Sequence, residues 1–263
     1  MSISHEQLRT WERAEIERSD YEAALTDGLD LRVSAKTFER YLAPPADTPF
    51  AIEYAYNLLG DVRGKNVLDL GCGNGENTIL LVNRGAKASG LDISDSLINL
   101  ARRRMRVNGV VEGFEFFTGS AHELPFPDQS FDVVFGMAIL HHLDLEQTSR
   151  EVWRVLIPGG YAIFMEPVRN SKLLRLIRKL IPYRAPGVSP FERPLTDLEL
   201  ERFAARFSLY HSAHYQLPYV NVAELLPVAR DFATFFLRFD HALLQRAEWL
   251  RRYATVRVIK VVK

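Results

Sequence analysis

Three glycines at alternate positions follow a short apolar segment that carries an aspartate. The stretch VLDLGCGNGENT runs from residue 67 to 78, with Gly71, Gly73 and Gly75 behind Asp69. Each glycine gives up side-chain packing and costs conformational entropy, so three within five residues indicate a backbone that lies against a ligand. A strand, a glycine-rich turn and a helix in this order direct backbone N–H groups toward that ligand. Binding chemistry is therefore expected at this turn.

The residues beside the turn separate the ligands that such turns bind. A phosphate-binding P-loop needs a Lys-Ser/Thr pair after its last glycine, but Glu76-Asn77 follows Gly75. A dinucleotide-binding turn has the spacing G-x-G-x-x-G, whereas the spacing here is G-x-G-x-G. Glu76 would also place negative charge beside a pyrophosphate. The pattern favours a ligand with a ribose and a cationic or zwitterionic tail.

The elements that must hold this turn alternate between apolar strands and amphipathic helices. Strands are predicted at 66–70, 86–93, 114–120, 131–137, 160–166, 208–217 and 255–263. Helices are predicted at 48–60, 77–85, 95–109, from about 144, and at 172–181, 196–207 and 222–250. Such alternation implies right-handed crossovers, and it predicts an α/β fold with a doubly wound parallel sheet.

The predicted organisation is one core domain with helical additions. The segments are an N-terminal helical extension or lid at 1–47, a core at 48–166, a cap insertion at 167–195, a core continuation at 196–218, a helical cap insertion at 219–254 and a final edge strand at 255–263. The phenylalanines of the second cap, among them Phe232, Phe235 and Phe239, are expected to be buried in a core. A greasy acceptor pocket and a subunit contact are the alternatives.

Composition limits the classes of partner. The chain has 263 residues, 47% of them hydrophobic, with 33 Lys plus Arg and 33 Asp plus Glu, so no bulk charge attracts nucleic acid. A single cysteine, Cys72, fits a reducing compartment and provides no cysteine-based metal cluster. Apolar runs are too short for a membrane span, and the charged N-terminus does not read as a signal peptide. A cytoplasmic location without stable membrane insertion is expected.

Several motifs together resemble class I S-adenosylmethionine (SAM)-dependent methyltransferases. VLDLGCGNG is similar to the first motif of that family, an acid followed by G-x-G-x-G, and GLDIS at 90–94 supplies an acid at the end of the second strand. The segments 119–135, 137–143 and 150–167 resemble later blocks of the family. The resemblance covers about 60–167 and implies a Rossmann-like, mostly parallel seven-stranded sheet with helices on both faces. Within the class it is similar to the ubiquinone, menaquinone and sterol methyltransferases.

The resemblance implies a role for each matching position. Asp69 would position the methionine end of SAM, Asp92 would bind the ribose hydroxyls, and Ile93 would pack on the adenine. Ser120 stands where the family most often has an Asp that binds the adenine amino group, and a serine accepts that hydrogen bond more weakly. The residues expected to contact the cofactor are Asp69, Gly71, Cys72, Gly73, Gly75, Asp92, Ile93, Ser120, Ala121, Met137, Ala138 and His142.

His142 and Glu166 are the candidate catalytic residues. Histidine titrates near neutral pH, so His142 is expected either to line the cofactor pocket or to act as a general base. Glu166 ends the fifth strand at the carboxyl edge of the sheet. The alternatives to a catalytic role are that it is a solvated acid at the strand end or that it forms a salt bridge. His141 is expected to be structural. Adjacent histidines point apart on most backbones, so no metal site is expected.

These observations predict a SAM-dependent methyltransferase that acts on a small, lipophilic or aromatic acceptor and yields S-adenosylhomocysteine (SAH). The alternative is a non-catalytic SAM-binding or protein-interaction module on the same fold. The expected partner is a small molecule and not nucleic acid, and a homodimer is left open.

Overall fold

The computed structural model describes residues 4–170, 193–219 and 232–263. The helices of these ranges are α1 (His5–Thr26), α2 (Ala35–Leu42), α3 (Ala51–Leu59), α4 (Glu76–Asn83), α5 (Asp95–Val107), α6 (Leu145–Val155), α7 (Asp197–Ala204) and α8 (Ala233–Arg246). The strands are β1 (Asn66–Leu70), β2 (Lys87–Asp92), β3 (Phe114–Thr118), β4 (Phe131–Met137), β5 (Leu156–Pro167), β6 (Leu209–Tyr215) and β7 (Val256–Val262). Short 3-10 helices lie at Leu140–His142 and Glu248–Tyr253.

All seven strands form one sheet in the order β3-β2-β1-β4-β5-β7-β6. Strands β1 to β5 pair in parallel, and β7 is antiparallel to both of its neighbours. The strand order reverses between β1 and β4, and ligands of open α/β sheets bind at the carboxyl ends of the strands beside such a reversal. The predicted Rossmann-like, mostly parallel seven-stranded sheet is confirmed, and the glycine turn after β1 lies at the reversal.

Helices cover both faces of the sheet because strand side chains alternate between the faces. Val67 packs in a buried cluster with residues of α3, α4 and α5, whereas the adjacent Leu68 packs in a second cluster with residues of α6 and α7. Each cluster extends across β1, β4, β5 and β7. The sheet that supports the glycine turn is therefore buried on both faces.

The prediction of an edge strand at the C-terminus is wrong. β7 lies between β5 and β6, and β6 forms the edge of the sheet. The physical reason is burial on both faces, since Val258, Ile259 and Val261 are all inaccessible to solvent. A near-continuous apolar strand is typical of an internal position, whereas six of the seven residues of β6 are exposed or partly exposed.

The prediction that the phenylalanines around α8 are buried in a core is wrong. Phe232, Phe235 and Phe239 each leave more than half of their side chain exposed. α8 contacts the described chain through a different face, where Leu244 is buried and the Asp240 carboxylate accepts the backbone N–H of Leu217. The predicted helix at 172–181 and the first part of the one at 222–250 lie outside the described residues. None of the described helices is long and apolar enough to cross a membrane.

Candidate functional site

The glycine turn is packed tightly on two sides and open on a third. Gly71 has φ +70°, and a Cβ added there would lie 2.5 Å from Ile139 Cδ1. Gly75 has φ +81°, and its added Cβ would lie 2.9 Å from Ala101 Cβ. Gly73 has φ +51°, but nothing lies within 4 Å of its added Cβ. Left-handed backbone and close approach explain the outer two glycines, while Gly73 borders open space.

Arg104 on α5 holds the turn from outside. Its Nε donates to the backbone oxygen of Asn74 at 2.9 Å, and its terminal nitrogen lies 3.0 Å from a Glu76 carboxylate oxygen. Arg104 is buried, whereas the Glu76 side chain is largely exposed and turned toward it. Sequence reasoning missed this arginine because it lies in an arginine-rich helical run that resembles a solvated face.

Asp69 is fully buried below the turn. Its Oδ2 accepts a hydrogen bond from the Thr78 hydroxyl at 2.5 Å, but its Oδ1 has no hydrogen-bond partner among the described residues. Burial raises the pKa of this carboxyl to about 7. A buried carboxylate without a cation is unfavourable, so the arrangement suits a ligand that brings positive charge.

Asp92 ties the end of β2 to the turn. Its Oδ2 accepts the backbone N–H of Gly73 at 2.9 Å, and its Oδ1 accepts that of Ser94 at 3.0 Å. Burial raises the pKa of this carboxyl above its ordinary value. Each carboxylate oxygen can accept a further hydrogen bond, so Asp92 can bind ligand hydroxyls while it holds the turn.

A narrow cavity of about 50 Å³ lies at the carboxyl ends of β1, β2 and β3. Half of the predicted cofactor contacts line it, namely Gly71, Asp92, Ile93, Ser120, Ala121 and His142. The other predicted residues are not part of its lining: Asp69, Cys72, Gly73, Gly75, Met137 and Ala138. The opposite wall comes from α1 through Trp11, Glu12, Glu15, Arg18 and Ser19. Nothing in the charged sequence of α1 distinguishes these side chains from a solvated helix face.

The two candidate catalytic residues have different surroundings. Glu166 is buried, its Oε1 accepts the backbone N–H groups of Ile139 and Leu140 at 2.9 and 2.8 Å, and its Oε2 lies 2.8 Å from His141 Nδ1. Ala138, at the start of this segment, has a φ of +54°. Both oxygens of Glu166 are thus engaged in holding the segment after β4, and the carboxylate is not solvated.

His142 faces the cavity and has a carboxylate partner from α1. Its Nδ1 lies 3.0 Å from Glu15 Oε2, and both side chains are almost fully buried. The rings of His141 and His142 are 4.1 Å apart, so the expectation that they point apart is wrong. The 3-10 turn brings consecutive side chains close together. The contact has the distance of an ion pair but not the alignment of a hydrogen bond, since His142 Nδ1 has no hydrogen-bond partner among the described residues. A histidine beside a carboxylate is suited to proton transfer.

Comparison with known families identifies the segment that contains these residues. Residues 68–164 match the family described as "Methyltransferase domain". They form a methyltransferase domain. The match begins within β1 and ends within β5, so it contains the glycine turn, Asp92, Ser120 and His142.

Curated relatives match this chain over part of their length. A fatty-acid O-methyltransferase from Mycolicibacterium smegmatis is 41% identical over 111 residues, which are 40% of this chain and 38% of the relative. A demethylmenaquinone methyltransferase from Lactococcus lactis is 36% identical over 137 residues, which are 51% of this chain and 53% of the relative. The chain therefore spans about half or less of the length of these relatives.

A solved structure extends the similarity of fold beyond the methyltransferase domain. A geranyl diphosphate methyltransferase in complex with GPP and sinefungin has a TM-score of 0.61, with 96% of this chain and 99% of that chain covered. The two sequences are 17% identical, so the likeness is one of fold.

A second, larger cavity adjoins the methyltransferase domain's narrow one. It has a volume of about 660 Å³, lies beside α6 and α7, and shares Trp11 and Leu143 with the narrow cavity. Three arginines and three acids line it, so its charge is balanced. Because Trp11 belongs to α1, this helix forms part of the wall of both cavities.

The raised pKa of Asp69 makes stability depend on pH. The carboxyl titrates at about 7 in the folded chain and near 3.8 when unfolded, so wild-type stability falls as pH rises between these values. Asp69→Asn keeps an acceptor for Thr78 and removes this loss. Relative to wild type, the variant should gain about 2 to 3 kcal/mol in free energy of unfolding between about pH 5 and pH 8.

The measurement is denaturant unfolding of both proteins at the two pH values. Asp61→Asn is the matched control, because the hydrogen bond from Arg63 lowers the pKa of Asp61 to about 2, outside this range. A stability difference between Asp69→Asn and wild type that is the same at both pH values would contradict the assignment.

Proposed function

We propose that the chain is a SAM-dependent methyltransferase that methylates a small lipophilic acceptor. The observation that carries the proposal is one cavity in the methyltransferase domain that is lined by Gly71 of the glycine turn, Asp92 and Ser120. Two residues before Gly71 along the chain, the buried Asp69 has an oxygen without a hydrogen-bond partner among the described residues. Such a site offers acceptors for ribose hydroxyls and a carboxylate for a cation. Among the described residues that line it there is no lysine of the kind that a P-loop uses for a nucleotide phosphate.

The residues present fit SAM. The ligand brings a cationic ammonium group and a sulfonium-activated methyl group. Asp69 supplies the buried negative charge that favours a cation, and the open side of Gly73 leaves room for the backbone to approach the ligand. Asp92 accepts hydrogen bonds from the ribose. Catalysis then rests mainly on the alignment of donor and acceptor, which contributes much of the rate in such displacements.

Helix α1 acts as a lid over this site. The narrow cavity is far smaller than the roughly 300 Å³ of an ordinary ligand pocket, so SAM enters only when α1 moves outward. The buried residues of α1 among those described are Glu15, Ser19 and Ala23, so little apolar surface holds the helix down. Polar contacts close it instead: Glu12 to Ser120, Glu15 to His142, Asp20 to Ser94, and the C-cap Asp27 to Arg103.

α1 can open without unfolding because it stabilises itself. Ser4 and Gln7 form a reciprocal capping box at its start, and Arg18 pairs with Glu22 one turn further along. Such local interactions remain when the helix separates from the domain. Closure over bound SAM brings Glu15 against His142 and excludes water from the reaction.

His142 is the proposed general base, oriented by Glu15, and Glu166 is a positioning residue. A base is required only when the acceptor must lose a proton. A carboxylic acid is already ionised at neutral pH, whereas a phenol or hydroquinone is not. The relatives named for fatty acids and for demethylmenaquinone make these two acceptor types the ones to test.

Cofactor binding depends on Asp92 and on the open side of Gly73. Asp92→Ala removes the ribose acceptors and the bond that holds the turn, and Gly73→Arg fills the open space with a bulky cation. Each variant should weaken SAM binding by at least about a hundredfold. Isothermal titration calorimetry measures the affinity, with exposed Asp61→Ala as the control, and unchanged affinity in both variants would refute the site.

Methyl transfer is tested by SAH formation from SAM with a long-chain fatty acid and with a hydroquinone. Wild type should methylate at least one of them. His142→Gln should slow turnover of the hydroquinone by about a hundredfold and leave that of the fatty acid within about threefold. The control is His211→Gln on the edge strand. SAM binding without transfer to either acceptor would contradict the proposed acceptor class, and equal loss with both would remove the base assignment.

A further inference from the structure

Glu12 projects from α1 into the narrow cavity and meets two residues that follow β3. Its Oε1 lies 2.5 Å from Ser120 Oγ and 3.0 Å from His122 Nδ1. The Glu12 side chain is 22% exposed and His122 is almost fully buried. The cavity wall therefore contains a carboxylate that comes from the lid and is held by the methyltransferase domain.

The hydrogen-bond directions at this carboxylate are fixed by its neighbours. The backbone N–H of Asp144 donates to His122 Nε2 at 3.0 Å, so Nδ1 carries the proton of the neutral ring and donates to Glu12. The backbone N–H of His122 donates to Ser120 Oγ, and the Ser120 hydroxyl donates to Glu12. The Ser120 hydroxyl and His122 Nδ1 thus both donate to Glu12 Oε1, and neither of these hydrogen bonds uses Glu12 Oε2.

The order of strands places Glu12 at the base end of a nucleoside. Asp69 and Gly71 follow β1, Asp92 ends β2, and Ser120 lies beyond β3, with these three strands adjacent in the sheet. A ligand that has its cationic tail at β1 and its ribose at β2 has its base at β3. There the base meets Ser120 and the Glu12 carboxylate.

We propose that Glu12 recognises the 6-amino group of the adenine in SAM, an assignment that rests on the function proposed above. A carboxylate only accepts hydrogen bonds, so it attracts the N–H donors of a 6-amino group and repels the carbonyl oxygen of a 6-oxo base. Ser120 and His122 position the Glu12 carboxylate, and the carboxylate itself is the group that binds the 6-amino group. The lid is thereby coupled to the identity of the base, since closure brings the recognising group into place.

A simpler role for Glu12 would be to close the lid without touching the base. The two roles differ in their effect on ligands that share everything except the 6-substituent. Loss of a closing contact changes the affinity of all such ligands by the same factor. Loss of a base contact changes their ratio.

The experiment is calorimetric titration with SAH and with S-inosylhomocysteine, which carries a 6-oxo base in place of adenine. Wild type should prefer SAH by at least about tenfold, because the 6-oxo compound leaves a carboxylate without a donor. Glu12→Gln offers both a donor and an acceptor, so the preference should fall to within about threefold. Glu17→Gln, an exposed glutamate on the same helix, should behave as wild type.

Each other outcome overturns the inference or the function beneath it. An unchanged preference in Glu12→Gln, an equal change in both affinities, or a wild type without preference would overturn the role of Glu12. Failure of wild type to bind SAH at all would overturn the proposed cofactor site, and it is visible before any variant is compared. Thermal melting of both variants verifies that the helix and domain are intact.

Discussion

A carboxylate without a cation lies inside the sheet at the end of β1. Asp69 is fully buried, and one of its oxygens has no partner among the described residues, so its charged form is disfavoured. The surrounding structure holds it there: Thr78 donates to the other oxygen, and the glycine turn closes above it. In the proposed function, the cation of the bound ligand offsets the stability that this buried group costs.

Two kinds of contact form the rest of the site: those within the methyltransferase domain and those that hold α1 against it. The domain side is rigid, because Asp92 binds the turn, Arg104 clamps it from outside and Glu166 fixes the segment after β4. The lid side is polar, because Glu12 and Glu15 close α1 by hydrogen bonds and ion pairs. Polar contacts exchange readily with water, which is the basis for the proposal that α1 opens while the domain stays folded.

Sequence predicts the domain side well and the lid side poorly. The alternation of apolar strands with amphipathic helices identifies β1 to β5, and the spacing of the glycines identifies the turn with Asp69 and Asp92. These features depend on local sequence pattern and backbone conformation. The predicted edge position of β7 is wrong, because strand order depends on long-range pairing. Glu12, Glu15 and Arg104 were missed, since a charged residue that reaches across the fold has the same local pattern as one in solvent.

Proton release on SAM binding shows directly whether the buried Asp69 carboxyl binds the cation of the ligand. Calorimetric titration near pH 7 in two buffers of different ionisation enthalpy measures the protons released. Wild type is expected to release a fraction of a proton as Asp69 ionises beside the cation, whereas Asp69→Asn should bind weakly and release none. Tight SAM binding with the same proton count in both proteins would contradict this expectation.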